Sequence, residues 1–323
     1  MGIIDKQAGQ VVGDEAMTKW SSGIAELSRD RRSSAAEIEA QGIDLLEEAV
    51  GDSSSGYDAA EYRRWLLRVG RHLMGAQPSV SSLFRLVNDM LWACDGAIGA
   101  EQVRQRALDF LQYRRARQEV AMEAMARAAS QYLADFDRLM TYSRSTSVLR
   151  AMQLMPRKQL PLVYCSEARP TLEGQTLATE LSWAGLKVVI GIDMALFDWL
   201  SEVQALVVGA DTVSSAGVLN RVGTRALVRA AAEFEIPRIV LTTTLKFVPD
   251  AYRIVEPLPL RDAEEIMPPA DRIQIRNAYA SLTPLEDYTV IITEAGAREA
   301  SQVRADLAAL RIYPGLHGSM EAR

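Results

Sequence analysis

The second half of the chain contains five short, unbroken apolar runs that are separated by segments with helical character. Strands of a parallel sheet that is covered on both faces are continuous in their apolar residues. We therefore predict strands at residues 160–165, 188–192, 205–209, 238–242 and 289–293. The helices predicted between them lie at 174–184, 195–200 and 223–234. This alternation predicts right-handed crossovers and a doubly wound parallel sheet, a fold of the α/β class.

The first half of the chain has the periodicity of helices. Ser34 followed by Glu37 is a capping box ahead of an apolar run. Amphipathic helices are predicted at 62–74 and 83–93, and a long helix is predicted from residue 100 towards residue 138. One face of this long helix carries apolar residues at steps of three and four, which we interpret as core filling. These residues are Met122, Met125, Ala129, Leu133, Phe136 and Met140.

Composition excludes several classes of protein and site. The 323 residues include only two cysteines and two histidines, which argues against a disulfide framework, a histidine-rich metal site and a histidine-based triad. A net charge of −6 argues against a general nucleic-acid binder. No apolar stretch approaches the ~20 residues of a membrane span, and no glycine-rich dinucleotide or Walker loop is present. We therefore expect a soluble, cytoplasmic protein with no metal, no cofactor, no membrane contact and no direct nucleic-acid contact.

Charged residues follow the predicted strands at the same end of the predicted sheet. Glu167 and Arg169 follow the first strand, Asp193 the second, Asp211 the third and Lys246 the fourth. Each of these residues alone is most simply a solvated turn or a helix cap. Ligands of open α/β sheets bind beyond the carboxyl ends of the strands, so the recurrence of charge at that end predicts a binding cavity there.

Several motifs in the right order carry a family resemblance. They are E-A-R-P with E-G-Q at 167–170 and 173–175, V-V-G-A-D at 207–211, N-R-V-G-T at 220–224, L-K-F at 245–247, and segments at 30–38, 77–79, 83–88 and 283–296. With them the chain resembles, over residues 25–310, the family of translation initiation factor 2B alpha, beta and delta subunits and sugar-phosphate isomerases. That family includes methylthioribose-1-phosphate isomerase and ribose-1,5-bisphosphate isomerase.

The resemblance implies how the chain is divided. Members of the family have an N-terminal helical domain on a C-terminal Rossmann-like domain, and they usually dimerise through the latter. For this chain it implies a flexible N-terminus over 1–20, a helical domain over 21–140, and a Rossmann-like ligand-binding and dimerisation domain over 141–323. The expected assembly is a homodimer or a higher homo-oligomer, with homologous subunits as further partners.

The resemblance also implies a catalytic pair, and the chain departs from it. The isomerases share a catalytic cysteine and an aspartate in the G-A-D element, and they move a proton or hydride between C1 and C2 of an opened sugar. Asp211 retains the aspartate, but Ser143 stands in the place of the cysteine. A thiol titrates near ~8.5, whereas an unassisted hydroxyl stays protonated at physiological pH. Ser143 can donate a hydrogen bond, but no histidine lies near it in sequence to serve as its base.

The resemblance implies a phosphorylated ligand, either a sugar phosphate or a nucleoside monophosphate. Gln77 replaces an arginine of many relatives, which removes one positive charge, while Arg221 replaces a lysine and suits a bidentate phosphate contact. The amides of the helix start at Gly223 add donors. The predicted ligand-binding residues are Arg144, Glu167, Arg169, Gly174, Gln175, Asp193, Asn220, Arg221, Gly223 and Lys246, with Asp211 and Ser143 as catalytic residues only if activity remains.

Three functions agree with these residues. The first is a regulatory relative of the alpha subunit of initiation factor 2B, which binds the phosphorylated ligand and has lost the chemistry with the cysteine; the segment around Arg144 resembles the regulatory subunits. The second is an active aldose–ketose isomerase on a ribose phosphate or nucleoside phosphate, with Asp211 as general base near Ser143. The third is an oligomeric scaffold with a vestigial pocket, since fold alone does not imply function.

Overall fold

A computed structural model describes residues 19–30, 33–52, 56–156, 160–252 and 260–316. Residues 1–18, most of the N-terminus that we expect to be flexible, lie outside the described residues. Among the helices that the structure describes, none is both long and apolar enough to cross a membrane.

Five helices make up the first part of the described chain: α1 Lys19–Leu27, α2 Ala35–Asp52, α3 Ala59–Ala76, α4 Ser81–Ala93 and α5 Ala100–Leu133. Their facing sides share one apolar core, in which Ile43, Leu66, Leu83, Met90 and Leu111 are fully buried. The capping box at Ser34 is confirmed, because the Ser34 N–H donates to Glu37 Oε2 at 2.6 Å and the Glu37 N–H donates to Ser34 Oγ at 3.4 Å. This exchange of hydrogen bonds fixes the start of α2.

A mostly parallel sheet follows, as predicted, and it has seven strands where five were predicted. Its strands in spatial order are β10 Gly296–Arg298, β9 Val290–Thr293, β7 Arg238–Leu241, β4 Ala205–Val208, β1 Arg138–Thr141, β2 Leu162–Ser166 and β3 Lys187–Gly191. All neighbours pair in parallel except β9 and β10. All five predicted strands are confirmed as β2, β3, β4, β7 and β9.

The end of the long helix was predicted wrongly. The helix α5 ends at Leu133, and β1 begins at Arg138 in the middle of the sheet. Met140 therefore belongs to β1, where it is buried and aligned with Tyr164 and Leu206 of the neighbouring strands, instead of lying on the helix. A four-residue strand is too short to show a period of its own, and its apolar residues happen to continue the helical spacing.

The remaining helices cover the sheet: α6 Thr146–Gln153, α7 Glu173–Trp183, α8 Ala195–Asp198, α9 Thr224–Glu233 and α10 Ala300–Ala308. A small antiparallel sheet, absent from the prediction, contains β5 Thr212–Ser214, β6 Gly217–Arg221 and β8 Ala280–Thr283. This second sheet matters for the site because β6 carries the N-R pair of the N-R-V-G-T motif.

Candidate ligand-binding site

An open cavity lies beyond the carboxyl ends of β1 and β4, as the topology predicts. Its empty space is about 780 Å³, a figure that includes open solvent at its mouth. The loop after β1 contributes Ser143, the loop after β4 contributes Asp211, and β6 contributes Asn220 and Arg221. Lys246 comes from the turn after β7. With Arg144, which also lies in the loop after β1, six of the residues predicted from sequence line one common cavity.

Two helices begin at this cavity. Residues 33–36 at the start of α2 and 143–146 at the start of α6 both line it. The Thr146 hydroxyl donates to Ser34 Oγ at 2.7 Å, which joins the two helix starts, and Ser145 Oγ caps α6 by accepting from the Val148 N–H at 3.3 Å. The first amides of a helix lack intrahelical partners and form the positive end of its dipole. Two such ends at one cavity suit an anionic group.

Two nitrogen-bearing side chains in the cavity are deeply buried. Asn220 is 6% exposed, and its Nδ2 makes no hydrogen bond with any part of the chain that the structure describes. Lys246 Nζ donates to the Ala210 carbonyl at 2.7 Å. Burial lowers the pKa of Lys246, although the charges of Asp211 and Glu39 oppose this effect. A buried amide without a partner is costly, so Asn220 offers a donor that a ligand atom would satisfy.

Ser143 has a carboxylate partner that the sequence analysis missed. Its backbone is left-handed at φ 66°, and its buried hydroxyl donates to Oε1 of Glu173. The same oxygen lies 2.7 Å from Arg221 Nε, and Oε2 accepts from the Thr171 hydroxyl at 2.8 Å. Asp211, the base expected beside Ser143, lines the same cavity, but the hydrogen bond of Ser143 goes to Glu173. Glu173 lies in the motif at 173–175 and follows β2 by seven residues. These two facts could have identified it as a site residue from the sequence.

Arg144 lines the cavity but is paired with two carboxylates. Its guanidinium lies 2.8 Å from Glu180 Oε1 and 2.9 Å from Glu37 Oε2. Hydrogen bonds to Glu180 and Glu37 raise the pKa of Arg144. Burial would raise the pKa of Glu37, but the hydrogen bonds from Arg144 and the Ser34 N–H lower it instead. The charge of Arg144 is therefore largely balanced by the protein.

Two further predicted residues line clefts that adjoin the cavity. Arg169 lines a cleft of about 200 Å³ together with Arg221, Tyr279 and Glu173. Gln175 lines another cleft together with Arg144 and Glu173. Because these clefts share residues with the main cavity, Arg169 and Gln175 border the site without lining its main volume.

The other four predicted residues line none of these three cavities. A Cβ on Gly174 would lie 1.8 Å from the Ser166 carbonyl, and the Gly174 N–H donates to the Glu167 carbonyl at 3.0 Å. Asp193 accepts from the backbone N–H groups of Ala168 and Arg169, each at 2.9 Å. Gly223, at φ 99°, precedes α9. Their contacts in the structure shape the loops that border the site.

Tyr279 and Arg261 also line the cavity and were missed in the sequence. The Tyr279 ring lies 5.6 Å from the guanidinium carbon of Arg221 and 5.5 Å from that of Arg261. Its hydroxyl donates to Glu265 at 2.5 Å. No motif marks this segment, so the sequence contained no signal that would have found either residue.

Within the described ranges, no group of three or more His, Cys, Asp or Glu side chains is arranged to hold a metal ion. Both cysteines are buried and unpaired. Burial raises the pKa of Cys94 to about 11 and that of Cys165 to about 12. Cys165 lies inside β2 and lines none of the three cavities above, so it does not take the place of the missing thiol.

The chain is similar both to a protein named as an enzyme and to one named as a translation factor. The model of the initiation factor 2 subunit family matches residues 31–300. The ribose 1,5-bisphosphate isomerase of Archaeoglobus fulgidus is 29% identical over 233 residues, which cover 70% of this chain and 73% of that protein. The crystal structure of translation initiation factor eIF-2B from Pyrococcus horikoshii OT3 is similar at a TM-score of 0.72 and 26% identity, covering 86% of this chain and 96% of that one.

A third likeness concerns the fold alone. The structure of the tetrameric eIF2B-beta2-delta2 complex from C. thermophilum matches at a TM-score of 0.68 and 19% identity, covering 90% of this chain and 93% of that one. In that structure, subunits of this fold form a tetrameric complex.

Proposed function

The chain belongs to the initiation factor 2 subunit family, and from that premise we propose that it is a regulatory relative that binds a phosphorylated sugar or nucleoside monophosphate without isomerase activity. The observation that carries the proposal is the buried Nδ2 of Asn220, which has no partner among the described residues and lies beside Arg221 in the cavity. An anionic ligand would satisfy both groups.

The electrostatics of the cavity support a phosphate in particular. Two helix starts, the Arg221 guanidinium and several serine hydroxyls converge there. A phosphate dianion accepts several hydrogen bonds at once, and arginine binds it in a bidentate manner. Asp30 and Asp211 also line the cavity, and carboxylates suit the hydroxyl groups of a sugar better than they suit a second phosphate.

The loss of isomerase activity is proposed from the group at position 143. A serine hydroxyl does not supply the acid or base that a thiol supplies near neutral pH. The partner of Ser143 is a carboxylate. A carboxylate is a much weaker base than the serine alkoxide, so it does not take the proton from the hydroxyl of Ser143. The ligand would then act as a signal that shifts a conformational or assembly equilibrium.

The alternative function is an active aldose–ketose isomerase on a ribose phosphate or nucleoside phosphate. One observation favours it: Asp211 lines the same cavity as Ser143, Asn220 and Lys246. Asp211 would then be the general base, and general acid–base catalysis contributes about 10²–10⁴-fold in rate.

We further propose a cytoplasmic homodimer or higher oligomer that also accepts homologous subunits. Large apolar side chains are exposed at the end of the edge strand β3 and just beyond it, namely Ile190, Ile192 and Met194. An exposed apolar group of this kind at a sheet edge is typical of an interface. Size-exclusion chromatography with light scattering tests the assembly, and a monomer at all concentrations would contradict it.

A thermal-shift screen tests the ligand. Ribose phosphates, hexose phosphates and nucleoside monophosphates are added to the full chain, and a ligand at 100 times its Kd should stabilise the fold by about 2.7 kcal/mol. Arg221→Ala should weaken the best ligand by roughly ten- to a hundredfold, the effect of losing a charged hydrogen-bonding partner. Arg225→Ala on the exposed face of α9 is the matched control and should bind normally. If no phosphorylated compound raises Tm, the scaffold with a vestigial pocket becomes the better reading.

Isotope exchange separates regulation from catalysis. The best ligand is incubated with the protein in D₂O, and NMR follows both turnover and incorporation of deuterium at C2. We expect neither. Turnover that disappears in Asp211→Asn would establish the isomerase and overturn the regulatory proposal.

A further inference from the structure

Glu173 is a buried carboxylate on which three hydrogen-bond donors converge. It is 5% exposed, and it accepts from the hydroxyls of Ser143 and Thr171 and from Arg221 Nε. It stands at the first residue of α7, where a negative charge also favours the helix dipole. A buried carboxylate that receives this many donors is held in one orientation, and it holds its donors in turn.

The bond to Glu173 decides what Ser143 can offer a ligand. A serine hydroxyl has one proton and two lone pairs. Ser143 lines the cavity, and because its proton is directed to Glu173, its Oγ is left with lone pairs as a hydrogen-bond acceptor. The phosphate of a sugar phosphate ester loses its second proton at about pH 6 and then has only acceptors, so it gains nothing from this atom. A sugar hydroxyl, in contrast, can donate a hydrogen bond to Ser143 Oγ.

The same carboxylate decides what Arg221 can offer. Its Nε–H is taken by Glu173 at 2.7 Å, and its guanidinium also lies 5.6 Å from the Tyr279 ring. The plane of the guanidinium is therefore fixed by two neighbours. The N–H groups at its far end keep the fork geometry that matches two phosphate oxygens.

We propose that Glu173 is a positioning residue that sets the specificity of the cavity: it holds Arg221 for a phosphate and turns Ser143 into an acceptor for a hydroxyl of the attached sugar. This inference rests on the proposed function, since it concerns how the cavity recognises the same ligand. The site then selects a polyhydroxylated phosphate ester over a bare phosphate, and Glu173 is responsible for that preference without touching the ligand.

Calorimetric titration of the full chain at about pH 8 with ribose 5-phosphate and with methyl phosphate, both of which are then dianions without a phosphate proton, tests the proposal. Selectivity for the sugar is measured as the Kd of methyl phosphate divided by the Kd of ribose 5-phosphate. Glu173→Gln and Ser143→Ala should each lower this ratio by roughly three- to tenfold, the effect of one hydrogen bond. The double variant should lower it no further, because both changes remove the same contact. Glu123→Gln is the matched control, since Glu123 is a part-buried carboxylate on α5 that pairs with Arg127 and Arg150 and lines none of the three cavities.

A purely structural role for Glu173 predicts a different pattern. Glu173→Gln would then lower Tm and weaken both compounds by the same factor, leaving the ratio at the wild-type value, and this result overturns the inference while the proposed function stands. Wild-type protein that binds neither compound overturns both. If Glu173→Gln fails to fold, Ser143→Ala remains decisive, because an unchanged ratio in that variant also overturns the inference.

Discussion

At the scale of single residues, the site depends on side chains whose partners were not apparent in the sequence. Ser143 is predicted as a donor without a base, yet it sits in a left-handed backbone conformation against a buried carboxylate. Non-glycine residues at positive φ cost free energy and persist only where their surroundings hold them. The motifs therefore identify part of the lining of the cavity, whereas the partners of those residues follow from contacts between distant segments.

A thiol placed at position 143 reports the charge of Glu173. In Ser143→Cys the neighbouring carboxylate disfavours the thiolate, so the pKa of the thiol should be higher than in Ser143→Cys combined with Glu173→Gln. As pH rises, the double variant should therefore be alkylated by iodoacetamide first. Cys94 and Cys165 stay protonated in this range, because burial raises the pKa of these thiols to about 11 and about 12. Equal thiol pKa values in the two variants would show that the charge of Glu173 does not affect the thiol at position 143.

Gly174 is required by packing. A Cβ there would lie 1.8 Å from the Ser166 carbonyl, so Gly174→Ala must move the start of α7 away from the end of β2. We expect a loss of about 1–3 kcal/mol or more in the free energy of unfolding, measured by urea denaturation. Gly51→Ala is the matched control, since Gly51 is also helical and no atom lies within 4 Å of its added Cβ. That variant should gain up to about 0.5–1 kcal/mol, and a comparable loss in both variants would contradict this account.

At the scale of elements, helices of the first part hold the turn that carries Lys246. Three successive carbonyls of this turn accept hydrogen bonds from helical side chains: Arg114 donates to Leu245 O at 3.5 Å, Ser81 to Lys246 O at 3.0 Å and Arg85 to Phe247 O at 2.8 Å. These donors lie far from the turn in sequence, and no local pattern marks such pairs. The elements themselves were easier to predict, since apolar runs and capping residues act over a few positions.

Substitution of Arg114 tests how much the contact between the helices and this turn stabilises the protein. Its Nε lies 2.8 Å from Glu39 Oε1, and both side chains are almost fully buried. Arg114→Ala leaves the Glu39 carboxylate without its partner, so we expect a loss of about 3–5 kcal/mol in the free energy of unfolding. The neighbouring Arg115→Ala is the matched control, since Arg115 pairs with Asp44 and Glu47 on the surface and should cost about 0–1 kcal/mol. Similar urea midpoints for the two variants would show that the buried pair contributes little.

At the scale of the whole molecule, the α/β architecture was predictable and the exact boundary of the sheet was not. Five strands were identified because parallel strands buried on both faces are continuously apolar. The strand β1 was missed because its four residues continue the spacing of α5, and the small sheet was missed because β5, β6 and β8 are three to five residues long. The cavity lies where α2 and α6 begin and where β1 and β4 end, so a ligand bound there contacts both parts of the chain.

A crystal structure of the protein with ribose 5-phosphate would show whether and how a phosphorylated sugar binds in this cavity. We expect the phosphate within hydrogen-bonding distance of Arg221 and Asn220 Nδ2, with a sugar hydroxyl facing Ser143 Oγ. A cavity that remains without ligand density at a saturating concentration, or a phosphate bound away from β6, would contradict this expectation.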